Sequence, residues 1–267
     1  MLKNFKRIAQ CIATTLVLAH AVHAAAAADD GVTPIDQARA LSGGVTPGDA
    51  PDWPIFITRS GSFRLTSDLV IDKLDHPDVI VIRADNVTID FNGFGIYGPN
   101  RCKTVGPYGV TGCTIQGAGR GVSASLQARG ITIRNGQIRG MAGAGIGLFE
   151  ADARISDMVV SDSGGTGIGI RSGTLANNSS QSNGSEGLIA RGAVMATGNQ
   201  AIGNGTDGLH FFGAPGSLAT GNQAVRNGRY GIAVTHGASA GVGGNVLHDN
   251  VMGNLYGSVF DMGGNAR

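Results

Sequence analysis

The chain has 267 residues, with 20 Lys and Arg against 19 Asp and Glu, and its 45 glycines amount to about 17% where a globular domain has roughly 7%. That excess excludes an ordinary helical or doubly wound enzyme, while 42% apolar residues are enough for a continuous core and exclude wholesale disorder. Collagen is excluded too, since no Gly-X-Y period runs through the chain.

Lys3, Lys6 and Arg7 precede an apolar run from Ile8 through Val22, which ends at Val22-His23-Ala24 before an alanine tract. Such a pattern is a secretory signal peptide, residues 1–24, so the mature protein is expected to be exported to the periplasm or the extracellular space. No later run approaches the roughly 18 apolar residues of a membrane span, so no stable membrane insertion is expected. Loss of the three basic residues, with no acid before Asp29, turns the formal charge from +1 to −2. That balance gives no electrostatic reason to expect a nucleic acid partner. Cys11 leaves with the leader, and Cys102 and Cys113 remain as a pair in an oxidising compartment. A disulfide is the expected use, because two thiolates without a neighbouring histidine do not supply four zinc ligands. Neither a metal nor another cofactor is expected.

Residues 25–54 form an N-terminal segment in which Pro34 to Leu41 can be helical and can cover the open end of the strands after it. From Ile55 onward short strands recur: Gly61 to Ile71, Val79 to Ile82, Asn86 to Phe91, Gly121 to Ala124 and Gly130 to Ile138. The pattern Asn-x4-Asn-x3-Gly then appears three times, as Asn178/Asn183/Gly187, Asn199/Asn204/Gly208 and Asn222/Asn227/Gly231. Degenerate copies flank it at Asp157/Asp162/Gly167 and Asn245/Asn250/Gly253. Gly145, Gly167, Gly187, Gly208, Gly231 and Gly253 are 20 to 23 residues apart, and each opens an alternating segment such as Ile168-Gly-Ile170 or Leu209-His-Phe211. Strand, corner, strand and corner within about 22 residues can bury their inward side chains only by stacking on the next coil. The expected fold is all-β: a single-stranded parallel β-helix of roughly nine coils over residues 55–267. No C-terminal cap is evident. Tyr256, Val259, Phe260 and Met262 can fold over the last coil or meet another chain, so the oligomeric state stays open.

The registered asparagines Asn178, Asn199, Asn222 and Asn245 are expected to form an internal amide ladder rather than a ligand site. Asn86, Asn177, Asn178, Asn183 and Asn204 also satisfy the glycosylation sequon, which an inward ladder residue could not use. Gly93-x-Gly95-x-x-Gly98 and Gly203-x-Gly205-x-x-Gly208 open no helix and are coil corners, not dinucleotide sites. Gly237-Ala-Ser239-Ala-Gly241 spells a nucleophile elbow beside His236 and Asp249, but Val242-Gly243-Gly244-Asn245 after it is a poor helix start.

The segments Gln37 to Leu41, Gly43 to Pro51, Gly61 to Leu69 and Asn86 to Phe94 resemble a group of secreted bacterial right-handed parallel β-helix proteins. The likeness covers nearly all of the mature chain. Its Asn-x4-Asn-x3-Gly coils are similar to repeats of carbohydrate-binding and sugar-hydrolysing β-helices of the broader pectate-lyase-like superfamily. The resemblance implies the right hand of the coil and says far more about fold than about activity. Departures from the active members are plain. Asp75-His76-Pro77-Asp78 is a scrambled form of the epimerase sequence Asp-Pro-His-Asp, and the aspartate motifs of polygalacturonases are missing. The acids Glu150, Asp152, Asp157, Asp162, Glu186 and Asp207 form no single aligned column of the kind calcium-dependent lyases need.

If Ile168 and Ile170 face inward, the alternating residues face out and make two columns. The first holds Gly147, Gly169, Ile189, His210 and Ala233; the second holds Phe149, Arg171, Arg191, Phe212 and Thr235. Arg171 and Arg191 on adjacent coils would repel unless Glu150, Glu186, water or a bound anion screens them. This leads to the expectation of an acidic polysaccharide along the sheet face, with Phe149 and Phe212 stacking on sugar rings. A lyase reading gives one arginine the uronate carboxylate and has Arg191 or His210 remove the C5 proton. Against both stand arginine stems that simply pack on aromatic rings, and a third class, a passive rod-shaped surface protein. The sequence leaves open whether the protein is an enzyme.

Overall fold

A computed structural model describes residues 31–267 except 74, 76, 105–108 and 116. The expected signal peptide, His76 and Tyr108 lie outside the described residues. Three parallel sheets wind around one core, and the chain passes through all three in each coil. Nine strands stack in the first sheet, from Ile55–Ile57 through Ile80–Ile82, Val122–Ala124 and the start of Ile146–Ser161 to Gly253–Gly257. Inward residues Ile55, Ile80, Val122, Ile146, Ile168, Leu188, Leu209 and Ile232 pair in unbroken register and are all buried. Each such burial is worth about 1.5–3 kcal/mol, and only the neighbouring coil supplies it.

The second and third sheets change character along the rod. Phe63, Ile89, Ile133 and Ile155 fill the second sheet early, whereas Ala196 and Ala219 stand there later. Small inward side chains leave room for two buried amide ladders. Asn178, Asn199, Asn222 and Asn245 are joined Nδ2 to Oδ1 at 3.0 Å each, and Asn245 reaches Asn265 at 2.9 Å. Asn183, Asn204, Asn227 and Asn250 repeat the arrangement at 2.9–3.0 Å. A left-handed residue precedes every rung: Asn177, Gly198, Gly221 and Gly244 in one ladder, Ser182, Gly203, Arg226 and Asp249 in the other. That turn aims the next side chain inward. The same rule corrects the degenerate copy at Asp157 and Asp162. Both are left-handed corners at φ 55°, and it is Met158 and Ser163 whose amides meet the first rungs, at Asn178 and Asn183.

Both ends depart from the sequence reading. Coiling starts before Ile55, since Val32–Ile35 pairs with Gly61–Leu65 in the second sheet. The helix Gln37–Ser42 comes next, capped by the Asp36 carboxylate on the Arg39 amide and burying Ala40. The loop after it closes the edge of Ile55–Ile57: Asp49 accepts the Phe56 N–H at 2.8 Å, and Thr46 Oγ donates to the Phe56 carbonyl. An exposed edge is thereby satisfied. At the far end, residues 265–266 return to the stack, where Asn265 terminates one ladder and Ala266 pairs with Val246. Tyr256, Phe260 and Met262 remain largely exposed.

Cys102 and Cys113 are disulfide-bonded across an antiparallel hairpin. The hairpin strands, Cys102–Thr104 and Val110–Cys113, lie as a strap along the corner glycines of successive coils. A β-carbon on Gly184 would meet the Gly164 carbonyl and stand 3.0 Å from Cys113 Sγ, and one on Gly205 would stand 3.3 Å from the Val110 carbonyl. Asn-Gly at the corners thus serves two needs, a rung inside and a bare surface outside. Among the described residues no helix is long and apolar enough to cross a membrane.

Candidate functional site

The first outward column runs as expected from Gly147 through Gly169, Ile189 and His210 to Ala233, and it continues to Tyr256. The second breaks at its start. Pairing slips between Leu148 and Asp152, so two extra residues bulge out and Phe149 leaves the column. Its ring lies over Gly169, where any β-carbon would overlap it, and the Arg191 guanidinium sits 4.6 Å above that ring. Phe149 and Phe212 therefore do not bracket the arginines. The arginine repulsion is met within the chain: Arg171 pairs with Asp152 at 2.6 Å and Arg191 with Glu150 at 3.5 Å.

A denser cluster surrounds His210. Glu186 and Asp207 occupy one position on consecutive coils, each a residue ahead of the repeated glycine, with Thr166 before them and Tyr230 after. Of the six acids considered from the sequence, these two share a register position. Nδ1 of His210 is 3.8 Å from Glu186 Oε1 and 3.7 Å from Asp207 Oδ2, contacts too long for hydrogen bonds. Side-chain exposures are 11% for His210, 18% for Glu186 and 1% for Asp207. Neither His210 Nδ1 nor Asp207 Oδ2 has a hydrogen-bond partner.

The two carboxyls are driven apart in acidity. Burial would raise Glu186, but the His210 imidazole, the Ser185 and Thr166 hydroxyls and its own amide outweigh that and hold it at about 2. Burial dominates at Asp207 and raises it, against the Tyr230 N–H and the Arg229 guanidinium at 3.8 Å. A pair of neighbouring acids split by their surroundings is a common mark of acid–base sites.

On its other edge His210 presents Nε2 to the Thr235 hydroxyl at 2.8 Å, and His236 Nδ1 reaches the same oxygen at 3.0 Å. Phe212 stacks on His236 with centroids 4.0 Å apart and meets the His210 ring edge at 5.8 Å. Two coils beyond His210 in the same column, Tyr256 stacks on Tyr230 at 4.5 Å. Two aromatic pairs thus lie within two coils of His210 and its acids. Ser239 of the elbow-like motif stands apart, its hydroxyl only 3.5 Å from the Gly216 amide. Among the described residues no three His, Cys, Asp or Glu side chains are placed to hold a metal ion.

The family described as "Right handed beta helix region" matches residues 120–266. No curated protein sequence matches the chain. Among solved structures, the chain is similar to the Azotobacter vinelandii mannuronan C-5 epimerase AlgE4 A-module at 16% identity, over 83% of this chain and 68% of that one, with a TM-score of 0.48. It is also similar to the periplasmic alginate epimerase AlgG, at 13% identity over 86% and 72% of the two chains, with a TM-score of 0.42.

Proposed function

The chain belongs to the right-handed β-helix family, and from that premise we propose that it is an exported protein that binds an acidic polysaccharide along its first sheet. One observation carries this reading: the stacked pairs Phe212–His236 and Tyr230–Tyr256 lie within two coils of His210 along the first sheet. Pyranose rings present apolar faces that rest on such aromatic surfaces. Arg171 and Arg191 enter as exchangeable partners, since sugar carboxylates can take the places of Asp152 and Glu150. Immobilised neutral and acidic polysaccharides test the reading. Phe212→Ala with Tyr256→Ala is expected to weaken retention at least about tenfold, and Arg171→Ala with Arg191→Ala to weaken it on acidic chains alone. Failure of the unsubstituted protein to bind any of them leaves the passive rod.

A second reading, a lyase or hydrolase at the same groove, is favoured by His210 standing between two carboxyls. It requires new unsaturated or reducing ends when acidic polysaccharides are supplied.

A further inference from the structure

His210 is placed between a hydroxyl and two acids, and this arrangement has a chemistry of its own. We propose that Thr235, His210 and Asp207, with Glu186 beside them, form an acyl-transfer site that cleaves short-chain O-acyl esters. The activity goes beyond polysaccharide binding and does not depend on it.

The nucleophile–base contact is present, Thr235 Oγ to His210 Nε2 at 2.8 Å. The base–acid side is looser, with the two carboxyl oxygens 3.7 and 3.8 Å from Nδ1, a spacing common before substrate arrives. Two carboxyls facing Nδ1 favour the tautomer with its proton on that nitrogen. Nε2 is then the lone-pair end, and it faces the hydroxyl. His236 Nδ1 can donate to the same oxygen and fix the remaining lone pairs. The orphaned atoms of the cluster, His210 Nδ1 and Asp207 Oδ2, are the ones that must strengthen their interaction once imidazolium forms. A buried group without a partner costs stability, and this use of it accounts for that cost.

Thr235 Oγ attacks the ester carbonyl while its proton passes to His210 Nε2. The carbon–oxygen bond to the alcohol breaks, and the alkoxide leaves with that proton. Water then attacks the acyl-threonine, His210 takes and returns one proton, and the carboxylic acid departs. No oxidant, metal or further reactant enters the balance. The tight turn His236–Gly237, left-handed at both residues, comes directly after the nucleophile. It is the counterpart of the sharp turn that exposes a nucleophile elsewhere, whereas the motif spelled around Ser239 has no histidine at its hydroxyl.

The test uses the full chain with p-nitrophenyl acetate and, separately, a fluorophosphonate, which phosphonylates an activated hydroxyl with loss of fluoride. Expected are nitrophenol release above buffer and a phosphonyl adduct on the peptide that contains Thr235. Thr235→Val, which keeps the shape, and His210→Gln are each expected to lower release about a hundredfold or more. Thr235→Ser should retain both signals, and Ser239→Ala should change neither. Release that persists in Thr235→Val would be catalysis by bare imidazole and overturns the proposal, as does an unlabelled Thr235 in folded protein. Unaltered polysaccharide retention by Thr235→Val would separate this failure from failure of the binding reading.

Discussion

Nδ2 of Asn204 lies 3.0 Å from Oδ1 of Asn227, and that same oxygen receives the Asn204 backbone N–H at 3.1 Å. One side-chain oxygen thereby satisfies two donors of the coil before it, and the Asn227 amide nitrogen donates to the Ala201 carbonyl and to Asn250 Oδ1. Such a ladder tolerates loss at its end better than in its middle. Asn204→Ala strips partners from the Asn183 N–H and the Ser180 carbonyl in a dry interior, at about 1–3 kcal/mol each. Asn265→Ala removes two bonds to Asn245 at a half-buried end that water can reach, so its expected cost is below about 1.5 kcal/mol. Urea unfolding of the two variants measures the difference, and equal losses would contradict an interior ladder.

The strap makes a similar distinction among glycines. Gly184→Ala drives a β-carbon against the Gly164 carbonyl and toward Cys113 Sγ, where backbone on one side and a pinned hairpin on the other cannot yield. Gly203 has a φ of +64° but nothing within 4 Å of a β-carbon, so Gly203→Ala should cost only the left-handed strain of about 1–2 kcal/mol. Gly184→Ala is expected to lose more than that in thermal unfolding and to loosen the strap. A smaller loss at 184 than at 203 would mean that the hairpin does not bear on the corners.

The bond between Cys102 and Cys113 spans eleven residues, and a loop of that size contributes about 3 kcal/mol through the unfolded chain. The strap's strands pair only with each other, while the coils carry their own ladders. Reduction should therefore loosen the strap about Arg101 and Lys103 without melting the stack. Trypsin is expected to cut at Arg101 and Lys103 in the reduced protein and to spare them in the oxidised one, with the far-ultraviolet spectrum unchanged. Collapse of the whole spectrum on reduction would show that the strap holds the coils together.

Legibility depends on the physical cause of each feature. The coil and the first outward column were readable because alternation about Ile168 and Ile170 sets the face and the Asn-x4-Asn-x3-Gly spacing sets the register. The position of Phe149 was not, although the 22 residues from Gly145 to Gly167 against 20 from Gly167 to Gly187 show that something is inserted. Spacing counts extra residues without locating them, and the bulge at 149–151 decided the matter. Alignment of Glu186 with Asp207 is visible in their common place before Gly187 and Gly208. Their convergence with Thr235 on His210 is a diagonal contact between coils, set by side-chain rotamers and burial that periodicity does not encode.

Glu186 provides the sharpest pH dependence. Its acidity in the fold, about 2 against an ordinary 4.5, means that the folded state prefers the charged form more than the unfolded chain does. The associated stability, on the order of 3 kcal/mol, is fully present above about pH 4.5 and is lost as pH falls toward 2. Asp207 acts in the opposite sense: its raised value means that acidification through its own range relieves the fold. Glu186→Gln should therefore flatten the loss of stability between pH 5 and 2 and leave a slight gain on acidification from Asp207. Guanidinium midpoints at pH 7, 4.5 and 2.5 for both proteins measure this. Parallel curves would mean that the hydroxyls and His210 do not hold the Glu186 charge, and the acid–base cluster would lose its ionised member.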